Sequence, residues 1–399
     1  MHDRTGHEKT MISNIQTAET LSRDHAPASG KRICLLNYYA WGVIADLDGK
    51  KVHIGGEEVQ HALLSRYLAK RGFDVTSLVG DFGQQPLEQV GGVKVRKTFR
   101  LGDGIPGLRF FTPRLSSTWA ALRAADADVY YISCAGAMVG VVAAFCRLYK
   151  RRFVFRIASD ADCDPSRLMV GNARDRWLYH YGLRRAHSIL AQTQKQADLL
   201  MQHYGLHAEV AGMFSDLPDE VASFEERNID LLWLANMRSM KRPEWFLDVV
   251  RLAPQLRCEM AGGAHPDELP LYRRAEEGAK ALPNLVFHGQ VKFGMTRSLF
   301  SRARIFVNTS SFEGFPNTYL QAWANGVPVV ATFDPDGLIA ARGLGVAVHT
   351  ADEAAAAASA LLASPKEWEA CSARCRAYAR ARLAPETVSL PYLSAMVPA

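Results

Sequence analysis

From Lys31 onward, short apolar runs alternate with amphipathic stretches, and the alternation starts afresh near residue 229. Runs rich in β-branched and aromatic residues, bounded by turn formers, predict strands at 32–37, 74–79, 93–97, 129–132, 153–157 and 188–191. Between them, 57–70 has helical periodicity: Val59, Leu63, Tyr67 and Leu68 share one face, and Gly72 follows as a stop. The second series predicts strands at 229–235, 257–261, 285–287, 305–307, 328–331 and 346–348, with helices at 243–252, 268–281, 294–301 and 318–324. Strand and helix in that rhythm imply parallel sheets covered on both faces, so the chain reads as α/β with two domains. The expected divisions are a polar, disordered leader at 1–30, a first domain at 31–215, a linker at 216–228, a second domain at 229–375 and a helical tail at 376–399.

Composition narrows the function. A chain of 399 residues, 48% hydrophobic and 22% charged, suits two ordinary globular cores. The formal net charge is +6, with no isolated basic block, which argues against a nucleic-acid partner and for a mildly anionic one. Seven cysteines without a C-x-x-C pair read as a reduced, cytoplasmic set, and Cys371 with Cys375 lacks the neighbouring ligands a metal needs. The leader has no apolar core of the kind a signal peptide carries. The longest uncharged run, 129–146, is broken by Ser133 and Gly136, so it reads as a buried strand and then a helix from Met138 to Leu148 rather than a membrane span.

In open parallel sheets, ligands bind beyond the carboxyl ends of the strands, so the loops after strands hold the candidate chemistry. One such loop, Glu313-Gly314-Phe315-Pro316-Asn317, joins the strand near 305–307 to a helix starting at Thr318. It brings a carboxylate and the unpaired amides of a helix start to one place, a setting for a diphosphate. The plainer alternative is that Glu313 and Asn317 only cap the turn. Asp160 and Asp162 follow another strand, where Asp160 could orient the acceptor or the transferring sugar, or only cap a turn. Gly102-Asp-Gly104-Ile-Pro-Gly107 matches G-x-G-x-x-G by letter, but Pro106 and the lack of a following helix make it a chance match.

The segment 308–332 resembles the paired-glutamate signature of the group 1, or family 4, retaining glycosyltransferases of the GT-B fold. Glu313 matches the first glutamate, Phe315-Pro316-Asn317 and 324–330 match its surroundings, and Gln321 stands where the second glutamate is usual. The resemblance implies two Rossmann-like domains facing a central cleft, with a C-terminal helix crossing back to the first domain. It implies that Glu313 faces the donor sugar, that Gln321 meets the ribose, and that Gly55 and Gly56 lie against phosphate or sugar. Lys241 matches the lysine that clamps the diphosphate; Asn236 holds the arginine position, and Arg238 stands two residues later. Val291 ends the stretch that resembles the base-reading turn, and Asp160 lies where many members carry a histidine. Retaining transfer follows, from a nucleotide-diphosphate sugar co-substrate, without a tightly bound cofactor or metal, to a hydroxyl of a glycan, lipid-linked or small-molecule acceptor. The alternatives are a non-catalytic nucleotide-sugar-binding protein, and a metal-dependent GT-A transferase using Asp160 and Asp162. Finally, Lys94, Arg96, Lys97, Phe99, Arg100, Arg109, Phe110, Phe111 and Arg114 interleave basic and aromatic residues, a composition that suits either a solvated loop on the acceptor side or peripheral contact with an anionic membrane at its cytoplasmic face.

Overall fold

A computed structural model describes residues 30–47 and 55–398; the expected leader, save Gly30, and His53 before the paired glycines lie outside the described residues. The N-terminal sheet comprises β1 (Arg32–Leu36), β2 (Asp74–Val79), β3 (Leu87–Val90), β4 (Val93–Lys97), β5 (Val129–Ser133), β6 (Arg152–Arg156), β7 (Ser188–Ala191) and β8 (Glu209–Val210), in the order β3-β4-β2-β1-β5-β6-β7-β8. The C-terminal sheet comprises β9 (Ile229–Leu234), β10 (Cys258–Ala261), β11 (Leu285–Gly289), β12 (Ala303–Asn308), β13 (Val329–Ala331) and β14 (Gly345–Ala347), in the order β11-β10-β9-β12-β13-β14. Helices cover both faces, as continuous apolar strands require: β5 and β9 are buried along their whole length.

Both sheets are built outward from a central strand and then reverse. Ile33 of β1 pairs with Val75 of β2 on one side and Val129 of β5 on the other. Leu231 of β9 likewise pairs with Cys258 of β10 and Ile305 of β12. Loops leaving β1 and β5, or β9 and β12, therefore diverge and open a crevice at each reversal. One strand departs from the all-parallel expectation. β3 runs antiparallel to β4 as a hairpin turned by Gly91 and Gly92, whose φ values of 57° and 83° suit a two-residue turn. At the sheet edge, its Leu-Glu-Gln-Val sequence carries too weak an apolar pattern to announce a strand.

The chain crosses between the halves twice. At the first crossing Met213 joins the C-terminal core while Phe214 joins the N-terminal one. At the second, the Pro365–Arg382 helix stays with the C-terminal half through Cys371, Cys375 and Ala379, and the Pro385–Met396 helix buries Val388, Tyr392, Leu393 and Met396 in the N-terminal core. The change of side falls at Leu383–Ala384, later than the expected division at 376, because the apolar face of the Pro365–Arg382 helix continues past that point.

Tyr392 ties the tail to the first crossing: it packs on Phe214 at 5.4 Å between ring centroids, and its hydroxyl donates to the Gly212 carbonyl at 2.9 Å. Tyr392→Ala should lower stability by about 3–5 kcal/mol, as expected for deleting a buried ring. Hydrogen exchange should locate the loss, with amides of β1 and β6 losing protection while those of β9 and β12 keep theirs.

Candidate functional site

The crevices of the two sheets face each other across a cleft of about 500 Å³. Its C-terminal wall is set by the loops after β9 and β12. The first ends in a short turn at Ser239–Lys241, followed by Arg242 with a left-handed φ of 47°. That conformation aims the Arg242 side chain at the second loop, where Nε donates to the Thr309 carbonyl at 2.6 Å and a terminal nitrogen donates to Thr332 Oγ1 at 2.8 Å. Thr309 Oγ1 donates back to the Lys241 carbonyl at 2.6 Å, and the Ser311 amide donates to the Met240 carbonyl at 2.8 Å. The two loops are thus stitched into one rigid piece, and at its centre Lys241 Nζ is ion-paired with Glu313. Ser310 Oγ donates to the same carboxylate oxygen at 2.7 Å. Glu313 is not on an open loop tip; its side chain is 11% exposed and that of Lys241 19%.

The helix Asn317–Ala324 starts immediately after, with no side chain capping its first turn. Its opening amides are available to an anion, and Thr318 lies in the cleft lining beside them. Arg238 completes this wall: its only carboxylate neighbour among the described residues, Glu268, is 3.9 Å away, and its buried Nε has no hydrogen-bond partner. Gln321 lines the cleft one helical turn on and donates to Thr296 Oγ1 at 3.3 Å.

The N-terminal wall comes from the paired glycines and the ends of β5, β6 and β7. Gly55 and Gly56 line the cleft opposite Asn317, and a Cβ on Gly56 would overlap the Asn317 side chain. Gly314 comes equally close from the other side, where a Cβ would stand 2.7 Å from the Ala158 carbonyl oxygen. Two hydrogen bonds span the cleft at these points: the Phe315 amide donates to Gln192 at 3.1 Å, and Gln60 donates to Asn317 Oδ1 at 2.6 Å. Glu57, in the first turn of the Gly56–Lys70 helix, is ion-paired at 3.1 Å with the fully buried Arg156 and accepts from Ser133. Burial raises the Glu57 carboxyl above its usual range despite that partner.

The structure brings Gly55, Gly56, Arg238, Lys241, Val291, Glu313, Gly314, Phe315, Pro316, Asn317, Thr318 and Gln321 to this one cleft. Asp160 stands apart from the lining; it is ion-paired with Lys195 at 2.8 Å and accepts from Gln196 at 3.2 Å. Asp162, two residues on, is in the cleft lining. Its carboxylate accepts from the Ala158 amide at 3.0 Å. Burial pushes its pKa up to about 6, against the pull of the Ala158 and Ser159 amides. The two side chains diverge because they sit in a tight turn at Asp160–Cys163, where residues two apart point to different sides. The same divergence separates the carboxylates that a shared metal site would require. Sequence reasoning also missed Arg242, Gln192, Glu57 and the Gly262-Gly263 pair after β10; only the last carried a local signal, two glycines closing a strand.

Comparison with known proteins identifies the family and the fold. The family model for glycosyl transferases group 1 matches residues 228–364, and that for Glycosyltransferase Family 4 matches residues 54–211. No curated protein sequence matches the chain. Among solved structures, it is similar to the sucrose-phosphate synthase of Thermosynechococcus elongatus, with a TM-score of 0.72 at 16% identity over 91% of this chain and 97% of that one. It is also similar to Anabaena HepE, solved in complex with UDP and glucose, with a TM-score of 0.71 at 15% identity over 92% of this chain and 100% of that one. WaaG, a glycosyltransferase involved in lipopolysaccharide biosynthesis, gives a TM-score of 0.62 at 13% identity over 92% and 100%. At such identities these likenesses speak to the fold, whereas the family models fall one on each half. The chain belongs to the group 1, family 4 glycosyltransferases and has their GT-B fold.

Proposed function

We propose that this enzyme moves a sugar, with retention of configuration, from a nucleotide-diphosphate sugar to a hydroxyl of a glycan or lipid-linked acceptor. The observation that carries the proposal is the Lys241–Glu313 pair, held at the C-terminal crevice beside an uncapped helix start and facing Gly55 and Gly56. A diphosphate between these elements meets Lys241, Arg238 and the amides at Asn317 and Thr318. Glu313 then faces the sugar, Gln321 the ribose, and the backbone at Val291 the base. The bond from the anomeric carbon to the diphosphate oxygen breaks with its electrons going to the diphosphate, whose charge the lysine and amides stabilise. The acceptor oxygen bonds to the same carbon, and its hydroxyl proton is taken up by Asp162. UDP is the nucleotide to test first, because it is bound in the HepE complex. Thermal-shift screening of nucleotide sugars selects the donor, since ligand binding raises the unfolding midpoint.

Glu313→Gln should lower transfer by about a hundredfold to a thousandfold, the range for losing one preorganised electrostatic stabiliser. Calorimetry should show UDP bound at least as tightly as by the parent enzyme, because Lys241 is then free to pair with the phosphates. Stability should fall by about 1–3 kcal/mol as the half-buried ammonium loses its counter-charge. Gln321→Glu should change donor KM more than kcat. Wild-type turnover in Glu313→Gln, or its failure to bind UDP, contradicts the assignment.

Asp162 gives the proposal a pH signature. With its pKa near 6, it protonates as pH falls from 7 to 5 and no longer accepts from a hydroxyl, so kcat/KM should fall along an acid limb centred near that value. Asp162→Asn should flatten this limb and lower the plateau. A stability readout has the opposite sign. A carboxyl whose pKa is raised by folding costs stability above about pH 6 and ceases to do so below the unfolded value near 4, so the asparagine variant should gain stability relative to wild type at pH 7.5 but not at pH 3.5. An acid limb left unchanged in the variant removes Asp162 from the mechanism.

A further inference from the structure

The basic and aromatic stretch of the N-terminal half divides into two parts in the fold. On β4, Lys94 and Lys97 are ion-paired with Asp74 and Asp81, and Phe99 beyond it is buried. The loop that follows is different. Residues 102–109 are exposed throughout, and Ile105, Leu108 and Phe111 are 68%, 61% and 56% exposed.

That loop is one edge of a larger face. The helices Ser116–Ala125, Ala137–Tyr149 and Ala173–Leu183 share a single core against one side of the N-terminal sheet, so their outward residues look away from it together. Leu148 and Trp177 add two more large apolar side chains there, 65% and 64% exposed. A continuous strip joins them to the loop. Arg174 lies 3.7 Å over the Phe110 ring, Trp177 stands one helical turn further, stacked on Tyr181, and Arg185 lies 3.9 Å over Tyr181. Arg185 then opens, with Arg147 and Lys150, onto a shallow cationic depression. Arg109, Arg147, Lys150, Arg176 and Arg185 have no carboxylate partner among the described residues, and Arg174 has only its neighbour Asp175. Asp103 is the exposed acid of the loop.

Exposed apolar side chains grouped on one face mark an interaction surface. Interleaved with unpaired cations, they fit a partner that is anionic at its surface and apolar just beneath. A bilayer with anionic headgroups is such a partner; a soluble polyanion would leave the apolar side chains in water. Tryptophan and tyrosine on the same strip suit the headgroup region. No helix among the described residues is long and apolar enough to cross a membrane, so the contact is with the surface. The face also reaches the cleft: Met169, just before the Ala173–Leu183 helix, is exposed and lines its mouth.

We propose that this face of the N-terminal half docks on an anionic lipid bilayer and presents the cleft rim to an acceptor carried on a lipid. The acceptor half of this statement rests on the transferase reading above; the docking does not. The test is flotation of the full chain with phosphatidylcholine vesicles, with and without phosphatidylglycerol. The wild type should float with the anionic vesicles at low salt, less at high salt, and not with the neutral ones. Combined Ile105→Ser, Leu108→Ser and Phe111→Ser should lower partitioning roughly tenfold, and so should combined Arg147→Gln, Lys150→Gln and Arg185→Gln. UDP binding should be unchanged in both variants, since none of these residues lines the cleft. Absence of wild-type flotation at low salt overturns the docking. So does equal flotation of the serine variant, which would mark the face as a polyanion site. Failure of the wild type to bind UDP or turn over would instead strike the transferase reading and leave the flotation result standing.

Discussion

Two charges that neutralise each other across the ends of β9 and β12 set the conditions for everything else in the cleft. Lys241 and Glu313 come from loops that the reversal of strand order forces apart, and the hydrogen bonds of Arg242 and Thr309 draw those loops back together. Both side chains are mostly withdrawn from water, so each serves as the other's counter-charge. In the transfer proposed above, a diphosphate would change that balance, offering Lys241 a second anion and leaving the carboxylate to face a sugar that gains positive charge. On that proposal the donor meets groups already in position, which is where electrostatic catalysis gains its advantage.

The opposing wall stands close to this pair. Gly56 against Asn317 and Gly314 against Ala158 leave no room for a side chain, and the hydrogen bonds from Phe315 and Gln60 fix the spacing. Behind that wall, the buried Arg156 holds Glu57 and is itself beside Tyr392 of the returning helix. The last residues of the chain thus support the first turn of the glycine helix. Any movement of one half relative to the other must pass through the two crossings at Met213–Phe214 and Leu383–Ala384.

Much of this was legible beforehand because it rests on repeated, local signals. Twelve of the strands follow from apolar runs between turn formers, and the Glu313 loop stands out as a polar break between a buried strand and a helix. What escaped depends on where side chains point. Asp160 and Asp162 look equivalent in the sequence, yet one short turn sends the first to Lys195 and the second into the cleft. Arg242 looks like any surface arginine beside Lys241 until its positive φ turns it toward Thr309. Gln192 carries no local mark, since its role comes from Phe315, 123 positions away. β3 and β8 are edge strands too short or too polar to leave a period.

The central claim is that Lys241 and Glu313 work as one unit on the donor, and a double-mutant cycle measures this directly. Transfer rates of the wild type, Lys241→Met, Glu313→Gln and the double variant are compared at saturating and limiting nucleotide sugar. Residues in direct contact couple by about 0.5–3 kcal/mol, so the account predicts that the double variant loses less transition-state stabilisation than the two single losses added together. Strictly additive losses would mean that the two side chains act on the donor independently, and the paired arrangement at the crevice would then have no part in the chemistry.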